Sequence, residues 1–283
     1  MVLPLERALT EQYIVSRITQ RFEQLAQQGR KAVIPYIVAG DPAVELTVPL
    51  MHRMVECGAD VIELGVPFSD PMAEGPVIQQ GHERALENGV TLSAALAMVE
   101  EFRHNDETTP VLLMGYANPV LRMGCETFVD RASSAGLDGL LTVDIPPEEV
   151  DEMNAQLKRV GMDNIFLVAP TTPEERTARI AKRASGFIYY VALKGVTGAG
   201  HLDTNEVMER VAQIRQYSDL PVAVGFGIKN ADSARSIAMA ADGVVVGSAL
   251  VSAMAEADGP DAVLEAAANM IGDIRKGVDS VAS

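Results

Sequence analysis

Glu63 stands inside a run that is otherwise apolar, Val61-Ile62-Glu63-Leu64, and the proline-spaced loop that follows carries two further acids, Asp70 and Glu74. A carboxylate in a buried strand is costly. Either a cation or another partner neutralises it, or its pKa rises. A raised pKa is what a general acid or base working near neutral pH requires, whereas an ion-paired carboxylate is the structural alternative. The place of Glu63 at the end of an apolar run favours chemistry.

Three glycine-rich stretches offer chemistry of a second kind: GVTGAG at 195–200, GFGI at 225–228 and GSA at 247–249. Glycine lets backbone N–H groups approach an anion closely, and a helix start adds partial positive charge. One such stretch is weak evidence, because turns between strands and helices use glycine anyway. Three at the ends of the last apolar runs point to a phosphate cradle. A local site of this kind is needed, because the chain carries a formal net charge of −16 and a pI near 4.6. That charge opposes sizeable contact with nucleic acid or an anionic membrane.

The elements that must hold these residues repeat along the chain. Short apolar runs rich in β-branched residues fall at 32–38, 61–64, 111–114, 139–143, 165–168, 187–191, 222–224 and 243–246. Amphipathic helical segments, among them 44–55 and 205–215, lie between them. Strands without polar alternation, separated by helices, predict a parallel sheet covered by helices. Eight such units in 283 residues fit a closed (β/α)8 TIM barrel, an α/β fold of one domain spanning 1–283. Ile14, Ile18, Phe22 and Leu25 predict an extra N-terminal helix over about residues 6–28, and the last residues, about 277–283, read as a frayed tail. In such a barrel the loops leaving the strand C-termini carry the active site, and the connection from Leu64 to Val111 is the longest of them.

Cys57 and Cys125 lie far apart, outside any CxxC or Cys/His cluster, which suits reduced thiols. His52, His82, His104 and His201 show no metal-ligand spacing; they read as surface side chains, and no metal is expected. The start of the chain lacks the features of a secretory signal and no stretch has the length of a membrane span, so a cytoplasmic protein is expected.

The run ELGVPFSDPMAEGP at 63–76, IPYIVAGDP at 34–42, VDIPPEE at 143–149 and the pair GVTG and GFGI together resemble the tryptophan synthase alpha chain family. The resemblance spans nearly the whole chain. It implies a lyase that splits indole-3-glycerol phosphate into indole and glyceraldehyde 3-phosphate by retro-aldol chemistry. Glu63 matches the family's essential glutamate, which protonates the indole ring. Glu74 stands where the family has an aspartate that stabilises the positive charge on the ring, while Asp70 matches a loop aspartate with a turn role. Tyr189 matches an active-site tyrosine, and its neighbour Tyr190 is expected on the opposite face. Tyr36, Ile78, Tyr116 and Phe226 are expected to wall the indole. Gly198, Gly227, Gly247 and Ser248 are expected to hold the phosphate, and Thr197 to sit on a lid over the substrate. The family also implies a beta-chain partner in an alpha2-beta2 heterotetramer, reached through the surface around Pro71, Asn118 and Pro146. It implies no cofactor in this chain, with PLP in the beta chain. Another phosphate-binding barrel enzyme and a non-catalytic subunit that activates a beta partner are the competing readings.

Overall fold

The computed structural model describes residues 15–192, 204–225 and 227–281. Its strands are β1 (Ala32–Val38), β2 (Ile62–Gly65), β3 (Val111–Gly115), β4 (Gly139–Thr142), β5 (Asp163–Val168), β6 (Ile188–Val191), β7 (Val222–Gly225) and β8 (Gly243–Val246). They pair in parallel in chain order, and β1 pairs with β8 to close the barrel. The expected (β/α)8 barrel is therefore present. Because each strand is covered by barrel interior on one side and helices on the other, almost every strand residue is buried.

Alternation along each strand divides the apolar side chains into two cores. Ile34, Leu112, Leu141, Ile165, Ala223 and Val245 fill the barrel. Residues of opposite parity, such as Val33, Leu113, Tyr190 and Val244, pack outward against the helices. The helix Arg17–Gln27 plugs the N-terminal mouth of the barrel with Ile18, Phe22 and Leu25, and the Phe22 and Phe187 rings lie 5.5 Å apart. Ser16 caps this helix by accepting the Thr19 N–H at 3.1 Å, so the described helix begins at Arg17. The earlier part of the expected helix lies outside the described residues.

Every second strand is clamped at the N-terminal face. Asp60, just before β2, accepts the Val33 N–H of β1 at 2.9 Å. Asp138, before β4, accepts that of Val111 of β3 at 2.8 Å, and Asp242, before β8, that of Val222 of β7 at 3.0 Å. Ser185 does the same for Asn164 of β5 with its hydroxyl. Each aspartate is also held by cations: Arg275 on Asp60, Arg17 and Arg103 on Asp138, Arg215 and Lys31 on Asp242. Carboxylates there satisfy strand-start amides that the barrel ladder leaves open.

Two expectations about the helices are corrected. The segment expected as one helix from residue 44 is a 3-10 turn, Val44–Leu46, followed by an α-helix, Thr47–Glu56. Of the frayed tail expected over about 277–283, Gly277, Val278 and Asp279 belong instead to the final helix, Pro260–Asp279, with Val278 1% exposed. Gly277 explains the difference. A Cβ there would stand 2.2 Å from the Ala231 carbonyl oxygen, so this glycine is a point of close helix contact rather than a sign of disorder.

Candidate active site

Glu63 occupies the second position of β2, where alternation turns its side chain into the barrel with Val61. It is 1% exposed, and neither carboxyl oxygen has a hydrogen-bond partner among the described residues. Burial, with the charge of Glu74 added to it, pushes its pKa up to about 8. Glu74 lies half-buried on the loop 66–75, and burial raises its pKa to about 7. At neutral pH the first of these carboxyls is mostly protonated while the second is divided between its two forms. Two acids whose charges interact and whose pKa values differ can work as an acid–base pair.

The loop that carries Glu74 is held on several sides. Its Ala73 N–H donates to the Tyr116 hydroxyl at 2.9 Å, and the Gln79 amide donates to the Glu74 carbonyl at 2.9 Å. The Phe68 ring stacks on Tyr116 with centroids 4.9 Å apart. Asp70 is exposed and accepts from Ser69 Oγ at 2.6 Å within the loop.

Two tyrosines complete the floor by a shared device. Tyr36 on β1 and Tyr189 on β6 each reach across the next strand at a terminal glycine. A Cβ on Gly65 would stand 2.3 Å from the Tyr36 hydroxyl, and one on Gly225 would stand 2.4 Å from that of Tyr189. Only glycine leaves room for either phenol. Burial raises both phenols well above their ordinary value, and the fields of Glu63 and Glu74 add to it. Tyr116 is pushed up to about 12, chiefly by burial. Tyr36, Glu63, Glu74, Tyr116 and Tyr189 thus form one electrostatic cluster. Tyr190 packs outward, as alternation requires. Ile78 lies on the helix Pro76–Glu87, 6% exposed, in the outer core near the same loop.

After β7 and β8 the backbone offers two helix starts. Gly227 has φ +48° and leads to Asn230, which caps the helix Ala231–Ala238. Gly247 precedes the short helix Ser248–Ala255, with Ser248 exposed in its first turn. The first turn of Ala231–Ala238 already gives the Ala231 N–H to the Asp273 carboxylate and the Ser233 N–H to Asn230, so of these two starts the one at Gly247 and Ser248 is better able to receive an anion. Thr197, Gly198 and Phe226 lie outside the described residues.

His82, expected at the surface, is instead 2% exposed. It lies between Tyr36 and the Phe68 amide, and burial lowers its pKa to about 4. The signal was its spacing: Ile78, His82 and Ala85 recur on the buried face of one helix. Among the described residues no group of three or more His, Cys, Asp or Glu side chains is arranged to hold a metal ion. Cys57 and Cys125 are free thiols.

A closed parallel barrel with a buried acid pair at its C-terminal mouth defines a class, the (β/α)8-barrel enzymes of proton-transfer chemistry. Residues 22–279 match the family described as tryptophan synthase alpha chain. A tryptophan synthase alpha chain from Thioalkalivibrio sulfidiphilus is 56% identical over 94% of this chain and all of its own length. One from Nitrosococcus oceani is 54% identical over 94% of this chain and 98% of its own. The structure of the alpha subunit from Legionella pneumophila superposes with a TM-score of 0.87 at 43% identity, covering 94% of this chain and 99% of that one. The chain belongs to the tryptophan synthase alpha chain family. It is accordingly a lyase of tryptophan biosynthesis that cleaves indole-3-glycerol phosphate, and PLP is the cofactor of the beta subunit.

Proposed function

We propose that Glu63 is the acid that protonates C3 of the indole ring, turning the ring into an electron sink so that the bond to the glycerol chain breaks. The observation that carries this reading is a buried carboxyl with no partner among the described residues and a pKa of about 8, which holds its proton at neutral pH and can give it up. Glu74, which ionises more readily, accepts the indole N–H and stabilises the charge that develops on the ring. Tyr189 supports Glu63 and the reacting glycerol chain. Tyr36, Ile78, Tyr116 and Phe226 wall the indole; Gly198, Gly227, Gly247 and Ser248 hold the phosphate; Thr197 belongs to a lid that excludes water. All of this takes place in one barrel domain.

The chain works with a beta chain, in an alpha2-beta2 assembly and in the cytoplasm. Two features support a partner surface at this end of the barrel. Met72, on the loop with Pro71, is 82% exposed, and Leu121, on the helix with Asn118, is 63% exposed. Large apolar side chains left in water on these two segments suit a protein interface, to which the surface around Pro146 is assigned as well. Among the described residues no helix is long and apolar enough to cross a membrane.

The purified chain, with and without a beta chain, is expected to release glyceraldehyde 3-phosphate from indole-3-glycerol phosphate. No release in either condition would eliminate the catalytic reading and leave a non-catalytic subunit. Glu74→Asp tests the loop acid. Because the loop is anchored at Ala73 and Glu74 rather than free to follow a shorter side chain, turnover is expected to fall about tenfold. A rise in turnover would show instead that glutamate is the poorer fit.

A further inference from the structure

His82 lies at the back of the site, and no step proposed above uses it. Its two ring nitrogens have different partners. Nδ1 stands 3.1 Å from the backbone nitrogen of Phe68, and Nε2 stands 3.2 Å from the Tyr36 hydroxyl. A backbone N–H only donates, so Nδ1 must be the nitrogen without a proton. A neutral imidazole then carries its single proton on Nε2 and donates it to the Tyr36 oxygen. Burial keeps the ring neutral, with a pKa of about 4.

The tautomer decides what Tyr36 can do. With its oxygen already accepting from His82, the phenol has one proton to give, and it has no acceptor among the described residues. Glu63 has the opposite need, since both of its carboxyl oxygens are buried without a donor among the described residues. These two residues are register partners on β1 and β2. The Tyr36 hydroxyl crosses β2 in the space that Gly65 leaves open, two residues beyond Glu63 on the same face of the strand. A turn of the Glu63 side chain toward Gly65 would bring this donor and this acceptor together.

We propose that His82 is a positioning residue for the cleavage: it makes Tyr36 a hydrogen-bond donor aimed at Glu63, ready to hold the carboxylate that Glu63 becomes once its proton has passed to the indole ring. No proton leaves Tyr36 in this step. The inference rests on the reading of Glu63 as the acid. The groups that act on the Tyr36 phenol are Glu63 from β2, Glu74 from the loop, Tyr116 from the end of β3 and Tyr189 from β6, with His82 facing it from the helix Pro76–Glu87. Since the same imidazole also holds the Phe68 amide, it ties the loop that carries Glu74 to the donor that serves Glu63.

The test follows cleavage of indole-3-glycerol phosphate by the full chain across pH, for His82→Leu, His82→Gln, Tyr36→Phe and the His82→Leu, Tyr36→Phe double variant. A hydrogen bond to a carboxylate favours its charged form, so losing the bond raises the pKa of Glu63. In His82→Leu and in Tyr36→Phe the alkaline limb of kcat is expected to move up by ~1 pH unit. Turnover is expected to fall roughly tenfold while KM changes little. The double variant moves the limb no further than either single one, and His82→Gln, whose amide both accepts and donates, stays near the parent. An unmoved limb in Tyr36→Phe overturns the proposal. So does a His82→Leu shift that recurs in full on the Tyr36→Phe background. Should His82→Leu fail to fold by circular dichroism, a His82→Gln limb displaced as far as that of Tyr36→Phe is the overturning result. Glu63→Gln assayed beside them separates the two readings: full turnover there removes the acid itself, whereas its loss with an unmoved Tyr36→Phe limb removes only the role of His82.

Discussion

Glu63→Gln is expected to lower turnover of indole-3-glycerol phosphate by at least ~10² while substrate binding stays largely intact, because the amide keeps the volume and loses the proton. The reason is local. Glu63 is buried inside the barrel without a hydrogen-bond partner among the described residues, whereas Glu74, on the loop, serves in its ionised form. The parent should show a narrow bell in its pH profile. Its acid limb reflects Glu74, which must ionise with a pKa of about 7, and its alkaline limb reflects Glu63, which must stay protonated with a pKa of about 8. Turnover that survives in Glu63→Gln would refute the assigned role.

The same substitution has an effect on stability whose sign can be worked out. The folded-state pKa of Glu63 is raised above its ordinary 4.5. The favourable contribution of its protonated form is therefore complete below about 4.5 and is lost as pH rises through about 8. At pH 9 the parent must bury a charge that the glutamine variant lacks. Glu63→Gln is thus expected to gain stability relative to the parent as pH rises across that window, and a difference that does not grow with pH would contradict it.

Asp138→Ala is expected to be the most damaging single change at the opposite face, costing ~3 kcal/mol of stability. The Asp138 side chain is 4% exposed, and it joins Arg103, itself 10% exposed, to the Val111 amide and to Arg17 of the helix that plugs the barrel. Its removal strands a buried guanidinium and a buried N–H together. Arg17 adds little, because it is 36% exposed and screened by water. The change should appear as a lower midpoint of urea unfolding with an unaltered slope. Less than ~1 kcal/mol lost would mean that Arg103 finds other acceptors, the Gly136 and Thr109 carbonyls that it already touches.

The strands were legible because parallel strands buried on both faces leave nothing but apolar runs, and each expected run overlaps its strand with ends shifted by two residues at most. Glu63 was legible as the one acid in such a run. Glu74 was legible only as one of two loop acids, because how that loop folds over the barrel is not written in its own residues, and resemblance alone preferred it to Asp70. His82 was misread since polarity was weighed above its place on a helix face. The clamping acids Asp60, Asp138 and Asp242 each stand immediately before an apolar run, a signal visible in the sequence. Their partners come from distant segments, so what they hold had to wait for the structure. The end of the final helix read as frayed because the run KGVDSVAS looks ragged when only its own segment is considered.

Those clamps also constrain the parity of the barrel. Each joins an odd strand to the even strand after it, at Asp60, Asp138, Ser185 and Asp242 in turn. Eight strand–helix repeats therefore conceal four larger ones. Loss of a single repeat would break one clamp, leaving either a strand-start amide without its acceptor or an acceptor without its amide, whereas loss of one clamped pair would leave the other three clamps intact. For a molecule held together in this way, change by clamped pairs disturbs its N-terminal face least.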